Sequence, residues 1–546
     1  MISSAMKAIL IFLSASVLAV VTARPDNAVS FTFGTWNIAH YSCGKTYPSN
    51  ISTADLPKCI SKYADFLDLA DVSVLGVCED SWFCDAAGSV TAREKIFPRY
   101  SGAANERNRP FDYNSLYWTN AVCVASGRRM FKKATEPRFY RWARLIVSGH
   151  EVMVVEAHLD WNITLPGYED ARVRQIQELI DDFKNERCVV IGGDFNTSRM
   201  LPDGKTEIDV PEDYEAFRAA GYVGAHWGTI KTWPAAKPFL TIDNIFAKGL
   251  SISEVRTLSD DALSDHALMR CRLTFDDGGK SVAVAKPSYE TLIAHRGESN
   301  DAPENTLPAY RMAVERGFGF ECDVYLSSDG EVFTFHDRDL SRTTGGLCTN
   351  ICSESSWADV ISKLDVGNWG KWKGSRFSPT RPALLSDVLL LARNGRYIYV
   401  EVKPGPEIVP HLKRVFDGQA NATPANTLFI SFDRRSCKAL KEMMPEYKVL
   451  WLTSSVREES PYPPITLSEV LAALDETGAD GVDCHFDPNV ITSDFVKAVR
   501  DRGYEFHVWT VNSTEQMLLA FARGAQTVTT DVAKRQLDCY RFFMGR

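Results

Sequence analysis

Beyond residues 8–21 the chain has no long apolar run. No later stretch of its 546 residues approaches the roughly 20 apolar residues a membrane-crossing helix needs. That excludes a multi-span membrane protein. Positive charge is also scarce: 61 Lys and Arg against 70 Asp and Glu leave a formal net charge of −9, which offers no general attraction to nucleic acid. Acids again outnumber bases over residues 25–275, a poor balance for a protein that tracks DNA. Neither half contains an internal repeat or a low-complexity tract, which removes solenoid and tail-like architectures. Cysteine comes in an odd number, 13, so at least one thiol stays unpaired if the rest are bridged.

The length exceeds one typical core, so two or more domains are expected. Residues 1–23 read as a signal peptide: Lys7, an apolar core over 8–21, and the small-residue cleavage site Val21-Thr22-Ala23. No cysteine lies near the cut, which argues against a lipoprotein. The expectation is a secreted or periplasmic protein of bacterial type, with no membrane span beyond the signal peptide. Export permits disulfides. Cys348/Cys352 and Cys78/Cys84 are candidate local bridges, with buried thiols as the equal alternative.

Residues 292–346 carry the densest chemistry. Three short apolar runs end in polar groups: Ile293-Ala294 before His295-Arg296-Gly297, residues 318–320 before Glu321 and Asp323, and residues 332–335 before His336-Asp337. Alternation along a strand puts Glu321 and Asp323 on one face and Cys322 on the other. Functional groups at successive strand ends suit the catalytic face of a parallel β/α barrel. Paired carboxylates suit a hard cation, and the histidines can move a proton near neutral pH. Nine strand candidates fall within 289–540, one more than a barrel holds. Residues 276–288, rich in Gly, Pro and Ser, form the expected linker.

The same motifs, with Pro303–Thr306, Arg342-Thr343-Thr344, residues 399–403, Ser431-Phe432-Asp433, residues 509–512 and Thr529-Thr530-Asp531, resemble the glycerophosphodiester phosphodiesterase family. The resemblance implies a (β/α)8 TIM barrel. It implies that Glu321, Asp323 and Glu401 hold Mg²⁺ or Ca²⁺, that His295 and His336 act as base and acid, and that Arg296, Lys403 and Trp509 contact substrate. Residues 337–382 correspond to a loop insertion over the site, where Trp357, Trp369 and Trp372 either close on substrate or form a small hydrophobic cluster.

Residues 30–275 read as an α/β domain with more strands than helices, hence two packed sheets with outer helices, a four-layer α/β sandwich. Polar groups sit at its strand ends: Asn37, Glu79, His158 with Asp160, Gly192-Gly193-Asp194-Phe195-Asn196, Asp243, and Ser264-Asp265-His266. This set can hold divalent ions and activate a water. The order resembles the endonuclease/exonuclease/phosphatase superfamily. That resemblance implies Mg²⁺ on Asn37 and Glu79, with Asp265 nearby. It implies a water positioned by Asp194 and Asn196, and His266 steered by Asp243 beside His158. Cys78 stands where Gln is usual, which bears on substrate positioning. In the basic segment 127–144, Arg144 or Arg141 is a candidate for reaching the phosphate, and a solvated hairpin is the plainer reading. Sequons at Asn50, Asn162, Asn196, Asn421 and Asn512 carry little weight, since a glycan on Asn196 would cover the site.

The expected activity is a bifunctional metal-dependent phosphoester hydrolase. The barrel would cleave a glycerophosphodiester such as glycerophosphoinositol. The first domain would hydrolyse a phosphomonoester or second diester. A lipid-directed phosphodiesterase and an extracellular nuclease are the alternatives. The partner is a small phosphodiester or phospholipid-derived substrate, with no protein partner.

Overall fold

The computed structural model describes residues 29–39, 56–80, 97, 99–104, 114–161, 166–201, 206–276, 285–393, 395–455 and 464–543. The signal segment, most of the linker, Cys84, Asn50 and Asn162 lie outside the described residues.

The first half contains two six-stranded sheets. One runs, in spatial order, Leu250–Leu258, Leu268–Phe275, Ser30–Asn37, Val74–Cys78, Asn114–Trp118 and Gly102–Ala104. The other runs Val223–Gly224, Asp243–Lys248, Val189–Asp194, His150–His158, Phe139–Val147 and Ala121–Met130. Their inner faces meet in an apolar layer that includes Phe33, Val74, Leu145, Val154, Val190 and Ile245. The sheets approach closely because Gly76 has no side chain: a Cβ there would lie 1.8 Å from the Glu156 carboxylate of the facing sheet. Helices Leu56–Ala70 and Ala171–Asp182 cover the outer faces with one buried stripe each.

The second half is a closed barrel of eight parallel strands: Leu292–Ala294, Gly319–Leu326, Ile398–Val402, Thr427–Ser431, Lys448–Thr453, Gly481–His485, Glu505–Trp509 and Val528–Thr530. Parallel pairing continues around the ring and returns to Leu292–Ala294. The ninth candidate, Val332–Thr334, stands outside it, antiparallel to Gly319–Leu326. Most barrel strands are buried along nearly their whole length, as a sheet covered on both faces requires. Four of the following helices begin on side-chain caps. Asp433, Thr492 and Ser513 each accept a backbone N–H, and Thr466 forms a capping box with Glu469. These caps end the strand-to-helix loops sharply and fix the rim on which functional groups sit.

The barrel interior is filled rather than hollow. Ile293, Tyr399, Leu428, Ile430, Leu450 and Leu452 pack together. Beside them Tyr399 Oη, His507 Nδ1 and Thr527 Oγ1 bond one another. The two halves meet along helix Thr514–Ala522, which packs on strands Ala121–Met130, Phe139–Val147 and His150–His158. Ile146 of the first half belongs to the barrel's own core cluster.

Two expectations shift. Strands Leu250–Leu258 and Ala121–Met130 were not foreseen, because they sit at sheet edges with largely solvated side chains and lack a buried run. Cys348 and Cys352 are unbridged thiols. Cys352 is buried in the small apolar cluster that also holds Phe333, Phe335 and Leu340.

Candidate active sites

At the barrel mouth three carboxylates converge. Glu321 and Asp323 share a strand face, and Glu401 is the register partner of Asp323 on the next strand. One oxygen from each lies within 4.8 Å of the others. Glu321 Oε1 and Asp323 Oδ1 are buried and accept no hydrogen bond. Crowded, unbonded carboxylate oxygens fit a hard divalent cation.

The histidines flank this cluster. His295 continues strand Leu292–Ala294 by donating its backbone N–H to Thr530 O at 2.9 Å. Its Nδ1 lies 2.7 Å from Asp531 Oδ1, and its Nε2 lies 3.9 Å from Glu321 Oε2. His336 pairs Nδ1 with Asp337 Oδ1 at 2.7 Å. In each ring one nitrogen is tied to a carboxylate and the other is left for substrate. Gly297 enables the turn that follows His295: its φ is +79°, and a Cβ would lie 2.6 Å from the Ala309 backbone.

Cations complete the mouth. Arg296 donates its backbone N–H to Glu321 and its Nη1 to Glu304 at 2.9 Å, with Nε 3.3 Å from Asp323. Lys403 Nζ lies 2.8 Å from Glu401 and 3.3 Å from Asp323. Glu304 also receives both terminal nitrogens of Arg342, whose Nε donates to Asp337. A continuous chain of charge thus links Arg296 to His336. A cavity of about 240 Å³ is lined by both histidines, Arg296, Glu401, Lys403 and Trp509 among others.

Burial raises the Glu321 and Glu401 carboxyls, Glu401 to about 7, and repulsion from Asp323 adds to it. Burial also acts on Asp323, but Lys403 and Arg296 outweigh it and hold Asp323 well below the usual carboxylate range. Burial lowers the His336 imidazole, so it is readily neutral.

The second cluster lies between the ends of the two sheets. Asp194 sits in register with His158 on one side and Asp243 on the other. Asp194 Oδ2 accepts from Asn37 Nδ2 at 3.0 Å and lies 3.6 Å from His158 Nε2 and 3.8 Å from His266 Nε2. Asn37 Nδ2 also reaches Glu79 Oε1 at 3.3 Å. The backbone N–H of Asn196 donates to Asp194 Oδ1 at 2.9 Å. His266 Nδ1 lies 3.0 Å from Asp243 Oδ2. Glu79 and Asn196 both have left-handed backbones, φ +57° and +49°, a local strain common where side chains are held for function. Burial and Asp243 push the Asp194 carboxyl up to about 7. Burial opposes charge on His266, but Asp243 and Asp194 prevail and raise it to about 10. Asp194, Asp243 and His266 converge within 4.8 Å of one another. A protonated His266 has no lone pair for a cation, so the oxygens of Asn37, Glu79 and Asp194 are the donor set that fits a divalent ion.

One expected site residue stands elsewhere. Arg144 is held by Glu151 and Glu186 at the junction of the halves, because its strand position opposite Met153 carries it away from the His158 end. Asp265 is an exposed residue on the rim, with Oδ1 4.0 Å from His266 Nε2 and Oδ2 accepting from Trp233 Nε1. In the basic segment Arg129 pairs with Asp182 and Lys133 with Asp170, as on a solvated face, while Arg141 is buried and donates to Asn114 O. Trp357 packs in the cluster under the loop, and Trp369 lies under Arg342. Trp509 borders the cavity.

Other contributors were not foreseen: Asp531, Asp337, Glu304, Arg342 and Asp483 in the barrel, and Glu156 between the sheets. Glu156 accepts from Thr35 Oγ1 at 2.6 Å and from the Cys78 thiol. Asp531 and Asp337 lay inside recognised motifs, and their adjacency to a histidine or a strand end was the available signal.

Comparison with known proteins follows the same division. Residues 295–535 match the model of the Glycerophosphoryl diester phosphodiesterase family, and residues 34–266 that of the Endonuclease/Exonuclease/phosphatase family. A Glycerophosphodiester phosphodiesterase of Caldanaerobacter subterraneus subsp. tengcongensis is 27% identical over 256 residues, 46% of this chain and 97% of that protein. A Glycerophosphodiester phosphodiesterase of Bacillus subtilis is 27% identical over 261 residues, 45% of this chain and 85% of that protein. Among solved structures, an Oleispira antarctica phosphodiesterase in complex with the product sn-glycerol-3-phosphate is 24% identical at a TM-score of 0.39. The match covers 47% of this chain and 97% of that one.

Proposed function

Because the chain joins an Endonuclease/Exonuclease/phosphatase family domain to a Glycerophosphoryl diester phosphodiesterase family domain in one two-domain phosphoester hydrolase, we propose that the two act on successive small esters. The barrel splits a glycerophosphodiester into an alcohol and a phosphomonoester. The first domain then removes phosphate or cleaves a second ester. The protein works outside the cytoplasm, a reading supported by the apolar stretch at residues 8–21.

The observation that carries this is the convergence of Glu321, Asp323 and Glu401 between two carboxylate-held histidines. Those acids would hold Mg²⁺ or Ca²⁺, which supplies neutralising charge to the phosphate when bound. Arg296 and Lys403 add fixed positive charge on the same cavity. One imidazole accepts the proton of the attacking glycerol hydroxyl beside the phosphate and the other donates to the leaving oxygen, each through the nitrogen not tied to Asp531 or Asp337. This releases the alcohol and leaves a cyclic phosphate, which water then opens to the phosphomonoester. In the first domain Asn37, Glu79 and Asp194 would hold Mg²⁺. Asp243 keeps His266 protonated toward the phosphate, and Asn196 fixes the Asp194 carboxylate through its backbone N–H.

The test is product analysis with purified chain and divalent ion. Glycerophosphoinositol or glycerophosphocholine should yield glycerol or glycerol phosphate, then free phosphate. No turnover across a broad diester panel would remove the reading.

A further inference from the structure

A polar cleft of about 760 Å³ opens at the junction of the two halves. None of its lining residues belongs to either catalytic group. The first half lines it with Arg144, Lys184, Arg187 and Lys248, and the barrel half with Thr492 and Arg523. Lys184 and Arg187 stand in the turn between helix Ala171–Asp182 and strand Val189–Asp194. Lys248 ends the neighbouring strand, in register with Val189. Gly249 lets the two turns touch: its φ is +69°, and a Cβ there would lie 2.2 Å from Arg187 O.

The charges of the cleft fall into two groups. Arg144 and Arg523 are matched by Glu151 and Glu186 in the network that joins the halves. The rest are Lys184, Arg187 and Lys248 against Asp494. Three cations and one acid, with His150 counted as neutral, leave a surplus of two positive charges on a chain of net charge −9. Among the described residues neither Lys184 nor Lys248 pairs with a carboxylate. Lys248 Nζ donates to the main-chain oxygen of Lys184 at 2.8 Å, a contact that leaves its charge unmatched. Unmatched cations gathered in a cleft focus their field on whatever enters it.

We propose that this cleft is a non-catalytic binding site for a small organic phosphomonoester. A phosphomonoester carries about −1.5 to −2 charges at neutral pH, which matches the surplus of two. Ammonium and guanidinium groups are its usual partners. Thr492 Oγ1 accepts from the Phe495 N–H at 3.2 Å and keeps its own hydrogen for a phosphate oxygen. The volume falls within the roughly 300–1,000 Å³ of small-molecule sites, enough for an organic group beside the phosphate. A ligand there spans from Lys184 and Lys248 of one half to Thr492 of the other, so occupancy stabilises the junction. Binding needs no turnover, so the inference does not depend on the reactions assigned to the two catalytic groups.

Titration calorimetry on the full chain tests this, with a chelator and no divalent ion, so that metal-assisted phosphate binding at the catalytic groups is absent. The probes are glycerol 3-phosphate and inorganic phosphate. Glycerol 3-phosphate should bind at a single site, more weakly as salt rises. Lys184→Gln with Lys248→Gln should weaken it by about 10-fold or more, and Lys184→Arg with Lys248→Arg should retain it. His295→Ala with His266→Ala should leave it unchanged. Inorganic phosphate should bind at least about 3-fold more weakly, and equal affinity would overturn the organic ester as the ligand. No binding by the wild type, or undiminished binding by the Gln pair, would overturn the site. Loss in the histidine pair alone would place the ligand in a catalytic pocket and overturn it as well.

Discussion

Each histidine of the barrel site is oriented by one carboxylate, and that pairing has a measurable consequence. Asp531 accepts from His295, Asn512 and Ser299, and these bonds outweigh burial and hold its carboxyl at about 2. Asp531→Asn keeps the shape but loses the charge that fixes the ring. Steady-state kinetics should show kcat lower by about 10- to 100-fold, with KM changed much less. His295→Ala should lose about 10²- to 10⁴-fold. The carboxylate cluster makes a second prediction. Mg²⁺ or Ca²⁺ should raise the melting temperature in proportion to the logarithm of its concentration, and a chelator should reverse it. In Asp323→Asn that shift should shrink or vanish, and an undiminished shift would place the ion elsewhere. At this scale the sequence was informative where a motif is local: Glu321 with Asp323, or His336 with Asp337. It was silent where the partner is remote, since Asp531 lies 236 residues from His295. Arg144 was misread for the same reason: what claims it is Glu186, 42 residues on, and a network reaching Arg523.

Among the elements, strand Glu505–Trp509 holds a polar pair inside the barrel. Burial alone would raise Glu505, but His507 Nε2 at 3.2 Å and Lys448 Nζ at 2.6 Å lower it to about 2. Its pKa is depressed on folding, so the stabilisation is fully present above the unfolded value of roughly 4.3 and is lost as pH falls toward 2. Urea midpoints measured between pH 5 and 2 should therefore fall less steeply in Glu505→Gln than in the wild type. Parallel slopes would show that this pair contributes nothing. The buried strands of the barrel were legible because runs such as Ile398–Val402 are apolar on both faces. The surplus strand candidate was not resolvable from pattern: Val332–Thr334 is as buried as a barrel strand, and only its antiparallel pairing sets it outside. The edge strand Leu250–Leu258 escaped because half its side chains face water and Glu254 breaks its register at φ +52°.

Across the whole molecule, the halves are joined by a buried charge network as well as by apolar packing. Arg523, 4% exposed at its side chain, holds Glu151 through two 3.0 Å bonds. Glu151 and Glu186 both bind Arg144. Removing Arg523 leaves Glu151 buried with one partner fewer, so Arg523→Ala should cost about 3 kcal/mol or more. Calorimetry should show a single unfolding transition of the wild type separating into two. A fixed junction keeps two sites at constant separation on one chain, which suits two steps on one substrate family. The account stands or falls on whether both pockets hydrolyse phosphoesters independently. The direct measurement follows glycerol phosphate and free phosphate released from one diester panel by wild type, His295→Ala and His266→Ala with divalent ion. The account predicts that His295→Ala forms neither product from a diester yet still releases phosphate from the monoester. It predicts that His266→Ala accumulates the monoester. Loss of the same step in both variants, or of no step in either, would contradict it.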